Sequence, residues 1–414
     1  MAGLQPVRGT QDLLPDAHRR HRAVIETARG IAARYGYQEI ATPIFEFTEV
    51  FARPIGVSSD IVSKEMYTFK DRGEEEITLR PEYTAGIVRA ILSNGLTQSL
   101  PLKLFASGPM FRYERPQKGR FRQFHQIDVE LIGVAQPLGD VEAIALGAEI
   151  LDALGILKRT VLELNTLGDT ASRAAYRAAL VSYYDGHKGS LSEDSLRRLE
   201  VNPLRILDSK DEGDKRVNAE APAFEAYLTQ EAHDFFAKVR GGLDALGIAY
   251  QLNPRLVRGL DYYCHTAFEF VTTDLGAQGT VLGGGRYDGL MGIMGGPETP
   301  GIGWAAGIER LALLIDEPAG PQRPIVIVPL GEAGEAAGLT IAQSLRRAGF
   351  SVDLGYSGNL SRRMKRADKL NARAAIILGD NELARQVATL RDFDSGEQVE
   401  VPLSELEARL APFR

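Results

Sequence analysis

Val24, Ala28, Ile31 and Tyr35 fall on one side of a helix that should end at Gly36, with Asp16 as its N-cap. An extended stretch, 38–47, follows and contains Pro43. Proline cannot donate to a ladder, so this strand is expected at a sheet edge or to bend there. Residues 77–80 read as a strand, and 84–92 as a helix with Val88, Ile91 and Leu92 on one side. The runs 102–114 and 121–133 read as two strands joined by the basic loop 115–120. From about 169 to 248 the pattern turns helical and alanine-rich, which predicts a helical insertion into a sheet domain. Strand and turn chemistry returns over 255–273 and 276–290. The stretch 301–315 reads as a strand running into a helix whose buried stripe is Ile308, Leu311, Ala312 and Ile315. Three prolines and a glycine within 316–324 mark a linker. Beyond it, strands at 325–330, 351–356 and 374–378 alternate with helices near 332–348 and 360–370, predicting a small α/β domain with a largely parallel sheet.

Composition narrows the class. A chain of 414 residues exceeds what one core usually supports, and 44% hydrophobic with 25% charged residues is an ordinary globular balance. Forty-eight basic against 55 acidic residues exclude a polybasic tail protein but not a polyanion partner, since local patches decide nucleic-acid binding. Cys264 is the only cysteine, so no internal disulfide and no cysteine-cluster zinc site can form. The first residues lack an apolar core of signal-peptide length, and no run nears the roughly 20 apolar residues of a membrane span. The expectation is a soluble, cytoplasmic, multidomain protein without a membrane partner.

Candidate chemistry begins with an absence: no Gly-Lys dipeptide occurs, so there is no P-loop of the GxxxxGK[ST] type. The stretch 283–289, GGGRYDG, reads as a tight hairpin turn or as a glycine-rich loop without the GxGxxG spacing. From Arg112 to Arg122 five Lys/Arg stand against one Glu on an otherwise acidic chain. In the strand that follows, the period of two places Phe124, Gln126, Asp128 and Glu130 on one face and Ile127, Val129 and Leu131 on the other. A face that carries Gln, Asp and Glu beside a basic hairpin lines a cavity or is a solvated surface with ion pairs; the pattern allows both. The same period turns His125 away from that face. Nothing near Cys264 and His265 completes a metal site or a nucleophile–base set, so both read as structural.

The segment 110–133, MFRYERPQKGRFRQFHQIDVELIG, resembles the second signature of class II aminoacyl-tRNA synthetases. Residues 78–84 (TLRPEYT), 256–263 (LVRGLDYY) and 283–290 (GGGRYDGL) resemble the histidine-specific blocks of the histidyl-tRNA synthetase family, and 301–311 (GIGWAAGIERL) resembles the third class II signature. The likeness runs from Arg8 into the C-terminal α/β domain, and the class I signatures are absent. It implies an α+β class II core, an antiparallel sheet flanked by helices, over 1–320, interrupted by the helical insertion at about 169–248. A C-terminal α/β anticodon-binding domain over 321–414 completes the implied architecture.

The resemblance implies ATP-dependent activation of L-histidine to histidyl-adenylate and transfer to the 3′ end of histidine tRNA. In that chemistry charge grows on phosphate oxygens, so fixed cations must point there. By carry-over Arg112 holds the ATP α-phosphate, and Arg258 contacts both that phosphate and the histidine carboxylate; these two are the catalytic candidates. Arg310 lies against adenine near the γ-phosphate, and Phe124 stacks on the other adenine face. Glu82, Thr84 and Gln126 accept from the substrate ammonium. The imidazole needs a donor and an acceptor, which Glu130 and the hydroxyl of Tyr263 supply, with Tyr262 beside them and Arg286 and Tyr287 walling the pocket. Arg115, Gln117, Lys118 and Arg120 are the implied contacts to the tRNA acceptor stem, and 361–373, with six basic residues against one acid, is the implied RNA contact of the C-terminal domain. Magnesium is implied with ATP, without a dedicated protein cage. The helix–strand segment 17–47 resembles the first class II signature and implies a homodimer. Two other readings stand beside this one: the inactive synthetase paralogue that regulates ATP phosphoribosyltransferase in histidine biosynthesis, and a synthetase for threonine, proline or glycine. The retained Arg258, Arg112 and Glu82 and the residues after the linker disfavour the first; LVRGLDYY and the Glu130–Tyr263 pair disfavour the second.

Overall fold

The computed structural model describes residues 3–56, 59, 61–117, 119–207, 209–257, 262–276 and 279–414. They form two compact units, Met1–Pro318 and Ala319–Arg414. In the first unit eight strands make one sheet, in the order Gln38–Glu39, Leu102–Phe111, Gln123–Ile132, Gly301–Gly307, Thr280–Arg286, Cys264–Val271, Val161–Thr166, Gln251–Leu252. The six central strands run antiparallel, but each edge strand is parallel to its neighbour. The sheet is therefore mixed rather than wholly antiparallel. A parallel partner needs a crossover, and the connections carry helices at both edges: Thr84–Ser93 lies between the first pair, and Gln230–Ala245 between the second.

The expected strand 38–47 divides. Residues 38–39 join the large sheet, while Phe45–Phe47 pairs with Glu76–Leu79 in a separate three-stranded sheet completed by Tyr67–Lys70. The first helix starts at Pro15, and Asp16 is not its cap: it lies in the first turn, paired with Arg19 at 2.7 Å. Val24, Ala28 and Ile31 of this helix, Ile144 and Leu151 of Pro137–Ala153, and Val239 and Leu243 of Gln230–Ala245 bury the apolar side of the sheet, where Ile127, Val129 and Leu131 project. The polar side of the same strand is left to face a cavity. The insertion helices Thr170–Asp185, Glu193–Val201 and Glu212–Asn218 start on Asp169, Ser192 and Asp211 caps and share a core of their own around Tyr176, Leu180, Tyr184 and Ile206.

The glycine-rich stretch is not a hairpin turn. Gly283, Gly284 and Gly285 lie inside the strand Thr280–Arg286. A Cβ on Gly284 would strike the Gly303 carbonyl and Trp304, and one on Gly303 would strike the Glu130 carboxylate. These glycines serve close strand approach in the sheet centre, not chain reversal.

In the second unit the sheet order is Val352–Leu354, Ile325–Pro329, Ala374–Leu378, Val387–Asp392, Gln398–Pro402. The first three strands are parallel, as the alternation predicts. The last two form an antiparallel hairpin that the sequence reading stops short of.

Candidate active site

A cavity of about 440 Å³ opens on the polar side of the central strands, within the first unit. Several segments bring it side chains of opposite sign. The strand Gln123–Ile132 contributes Phe124, Gln126 and Asp128. Room for them comes from the flanking strands: Gln126 stands opposite Gly108 and Gly307, and Asp128 opposite Ala106 and Ala305. Glu82 and Thr84 arrive at the start of the helix Thr84–Ser93. There the Glu82 carboxylate accepts from the backbone N–H of Thr84 at 2.7 Å and of Ala85 at 2.9 Å, answering both the unpaired amides and the positive helix end. Burial raises the Glu82 pKa against those bonds and against Arg112.

Cations line the same cavity. The Arg112 guanidinium lies 5.3 Å from the centre of the Phe124 ring, and its Nε donates to the Pro81 carbonyl at 2.9 Å. Arg310 donates to the Thr280 carbonyl at 2.7 Å. Its pKa is lowered first by burial and then by the neighbouring charges of Arg120 and Arg112. Three guanidiniums lining one cavity, with Arg310 close enough to feel the charge of the other two, are chemically suited to a polyanion.

Tyr262 and Tyr263 line the cavity with rings 4.7 Å apart. Glu130 lies just beneath the lining, fully buried: it accepts from the Thr84 hydroxyl at 2.6 Å and from the Tyr287 hydroxyl. Burial pushes its carboxyl up to about 8. So Glu130 has Tyr287, not Tyr263, as its observed tyrosine partner. Tyr287 is buried behind Glu130 rather than walling the cavity. Arg286, also expected in the wall, is wholly buried in an ion pair with Asp140 of the helix Pro137–Ala153 and donates to Asp288 at 3.0 Å.

The basic hairpin divides. Arg115 and Gln117 are exposed, whereas Arg120 turns to the cavity and pairs with Glu114. Lys118 and Arg258 lie outside the described residues. His125 points away from the cavity as the alternation predicts, and its backbone and Nδ1 donate to Glu309, whose carboxylate reaches the lining. Neither Glu309 nor the cavity position of Arg120 was visible in the motifs; both depend on which way a hairpin and a helix start turn. Cys264 accepts from the Asp288 N–H at 3.4 Å with its thiol pushed up to about 12 by burial, and the His265 ring packs on Phe235 at 4.6 Å. Neither is placed for chemistry.

Comparison with known proteins places the chain among related sequences. The histidyl-tRNA synthetase family model matches residues 9–311, and the anticodon-binding domain model matches 324–411. A histidine–tRNA ligase of Rhodospirillum rubrum is 62% identical over the full length of both chains. One from Gluconacetobacter diazotrophicus is 56% identical over 99% of each. The apo histidyl-tRNA synthetase of S. aureus superposes with a TM-score of 0.84 at 35% identity, covering 98% of this chain and 99% of that one.

The raised Glu130 pKa carries a stability prediction. A carboxyl whose folded pKa lies above its unfolded value stabilises the fold at low pH and loses that contribution as pH rises, here between about 4.5 and about 8. Glu130→Gln should match the parent in urea unfolding at pH 5 and exceed it at pH 8.5. A constant difference between the two proteins across this range would contradict the assignment.

Proposed function

We propose a residue-level mechanism from one premise: the chain belongs to the histidyl-tRNA synthetase family. It activates L-histidine with ATP and transfers the histidyl group to the 3′ end of histidine tRNA. The regulatory-subunit reading is not favoured, given full-length ligase relatives at 62 and 56% identity.

In the proposed mechanism a histidine carboxylate oxygen attacks the α-phosphorus of ATP, and the bond to pyrophosphate breaks. Arg112 holds the α-phosphate oxygens as charge grows on them, and Arg310 takes the γ-phosphate beside the adenine that stacks on Phe124. Arg258, outside the described residues, keeps the role its motif implies: it aligns the carboxylate with the phosphate. The observation that supports this most is that Arg112, Arg120 and Arg310 line the same cavity as Glu82, Thr84 and Gln126. The anionic nucleotide and the cationic amine thus each meet an opposite charge. Glu82, Thr84 and Gln126 line the amine side. Glu130, held by Thr84 and Tyr287, keeps a second lone pair on each oxygen for the imidazole N–H, with Tyr263 on the cavity side for the other nitrogen. Glu269, which lines the cavity and accepts from the Thr280 hydroxyl at 2.8 Å, would help hold a magnesium ion that accompanies ATP, and the ion would supply charge neutralisation at the phosphates.

The tRNA acceptor end is assigned to the exposed Arg115 and Gln117, with Lys118; Arg120 we assign to the cavity instead. In the second unit, the helix Leu360–Lys369 exposes Arg362, Lys365 and Lys369 for RNA phosphates. Arg363 of the same run is buried against Glu335 and serves the fold. A homodimer fits the small sheet, where Phe45, Phe47 and Phe69 are 56, 54 and 48% exposed, in register with Leu79 and Ile77. A second copy of this chain would cover that face. A cytoplasmic location accords with the function, and no helix among the described residues is long and apolar enough to cross a membrane.

Arg112→Ala and Arg258→Ala should each lower histidine-dependent pyrophosphate exchange by roughly 10²–10³, the scale for removing one fixed donor to developing charge. Exchange at the parental rate in either variant would remove that arginine from the mechanism. Phe47→Glu should shift the light-scattering mass from two chains to one; a dimer that persists would move the interface elsewhere, and a parental monomer would remove it.

A further inference from the structure

Asp128 has no part in the mechanism above, although it lines the same cavity and is only 1% exposed. It stands between Gln126 and Glu130 on the polar side of its strand, with Ala106 and Ala305 opposite, so neither neighbouring strand offers it a side-chain donor. Its Oδ2 has no hydrogen-bond partner, and neither has Oε1 of Gln126 two residues away. Glu82 and Glu130, the carboxylates whose charge it feels, are occupied on both oxygens: Glu82 by the Thr84 and Ala85 amides, Glu130 by Thr84 and Tyr287. Nearby cations do not fill the vacancy. Arg80 donates to the carbonyls of Pro109 at 2.9 Å and Thr42 at 2.8 Å, and Arg112 to that of Pro81. Burial first, then the charges of Glu130 and Glu82, push the Asp128 carboxyl well above the usual carboxylate range, toward the neutral form, and a cation bound beside it opposes that push. A buried acceptor left without a donor is unfavourable, and such groups persist where a ligand completes them.

We propose that Asp128, with Gln126, receives the α-ammonium of the amino-acid substrate, Asp128 supplying the opposing charge. This rests on the histidine-activating reading and adds a substrate-binding residue to it. Glu82, which also fixes the start of the helix Thr84–Ser93, stays on the amine side, and the ammonium donates as well to the oxygens that have no donor of their own.

The test compares two ligands on the full-length protein: L-histidine, and 3-(imidazol-4-yl)propionate, which keeps the ring and carboxylate but has no ammonium. Asp128→Asn keeps the shape and removes the charge. It should weaken L-histidine binding about 10- to 100-fold, the range for losing a hydrogen bond to a charged group, and leave propionate and ATP binding at parental strength. Asp128→Ala, a small residue between two alanines, should give the same pattern and serves if the Asn variant does not fold. Equal weakening of both imidazole ligands, or parental L-histidine affinity in the variants, would overturn the proposal while leaving the functional reading intact. A parental protein that does not bind L-histidine would overturn both.

Discussion

Guanidinium groups from three separate positions, Arg112, Arg120 and Arg310, line one cavity, and Arg310 feels the charge of the other two. Such a cluster is unfavourable in the empty protein and becomes favourable when a polyphosphate enters. Because its members are anchored to backbone carbonyls of Pro81 and Thr280 or paired with Glu114, they need not reorganise as charge develops on the substrate. Glu82, Gln126 and Asp128 line the same cavity and suit a cation by the same logic with the sign reversed. A ligand pair of one polyanion and one cation matches both sets.

The scaffold makes that charge distribution tolerable by rigidity. Small residues on the strands beside Gln123–Ile132 leave space for the polar ridge, and bulk is excluded there because a Cβ on Gly303 would meet Glu130. Behind the sheet, the indole N–H of Trp304 donates to the Ala143 carbonyl at 2.8 Å, and Arg286 is locked to Asp140, so the helix Pro137–Ala153 holds two central strands. Removing Arg286 would leave the buried Asp140 without its cation in the core.

Much of this was legible in the residues. The alternation from Phe124 to Leu131 assigns each side chain to a face, and the structure places Phe124, Gln126 and Asp128 in the cavity and Ile127, Val129 and Leu131 in the core. The family follows from motifs spread over the chain. What stayed hidden depends on partners distant in sequence. Whether 283–285 turns or runs straight is decided by Gly303 and Trp304 on the next strand. Arg286 looks like a substrate contact until Asp140, 146 residues earlier, is placed beside it. Arg120 and Arg115 are indistinguishable by composition, and only the hairpin geometry sends one inward and the other to the surface.

The central claim is that this cavity joins a nucleotide to an amino acid whose side chain is an imidazole. Pyrophosphate exchange with each of the twenty amino acids offered separately tests it most directly. Exchange should require L-histidine, with every other amino acid lower by roughly 10⁴-fold, as expected where buried polar groups must be matched by the substrate. Comparable exchange with threonine, proline, glycine or any other amino acid, or none with histidine, would contradict the account.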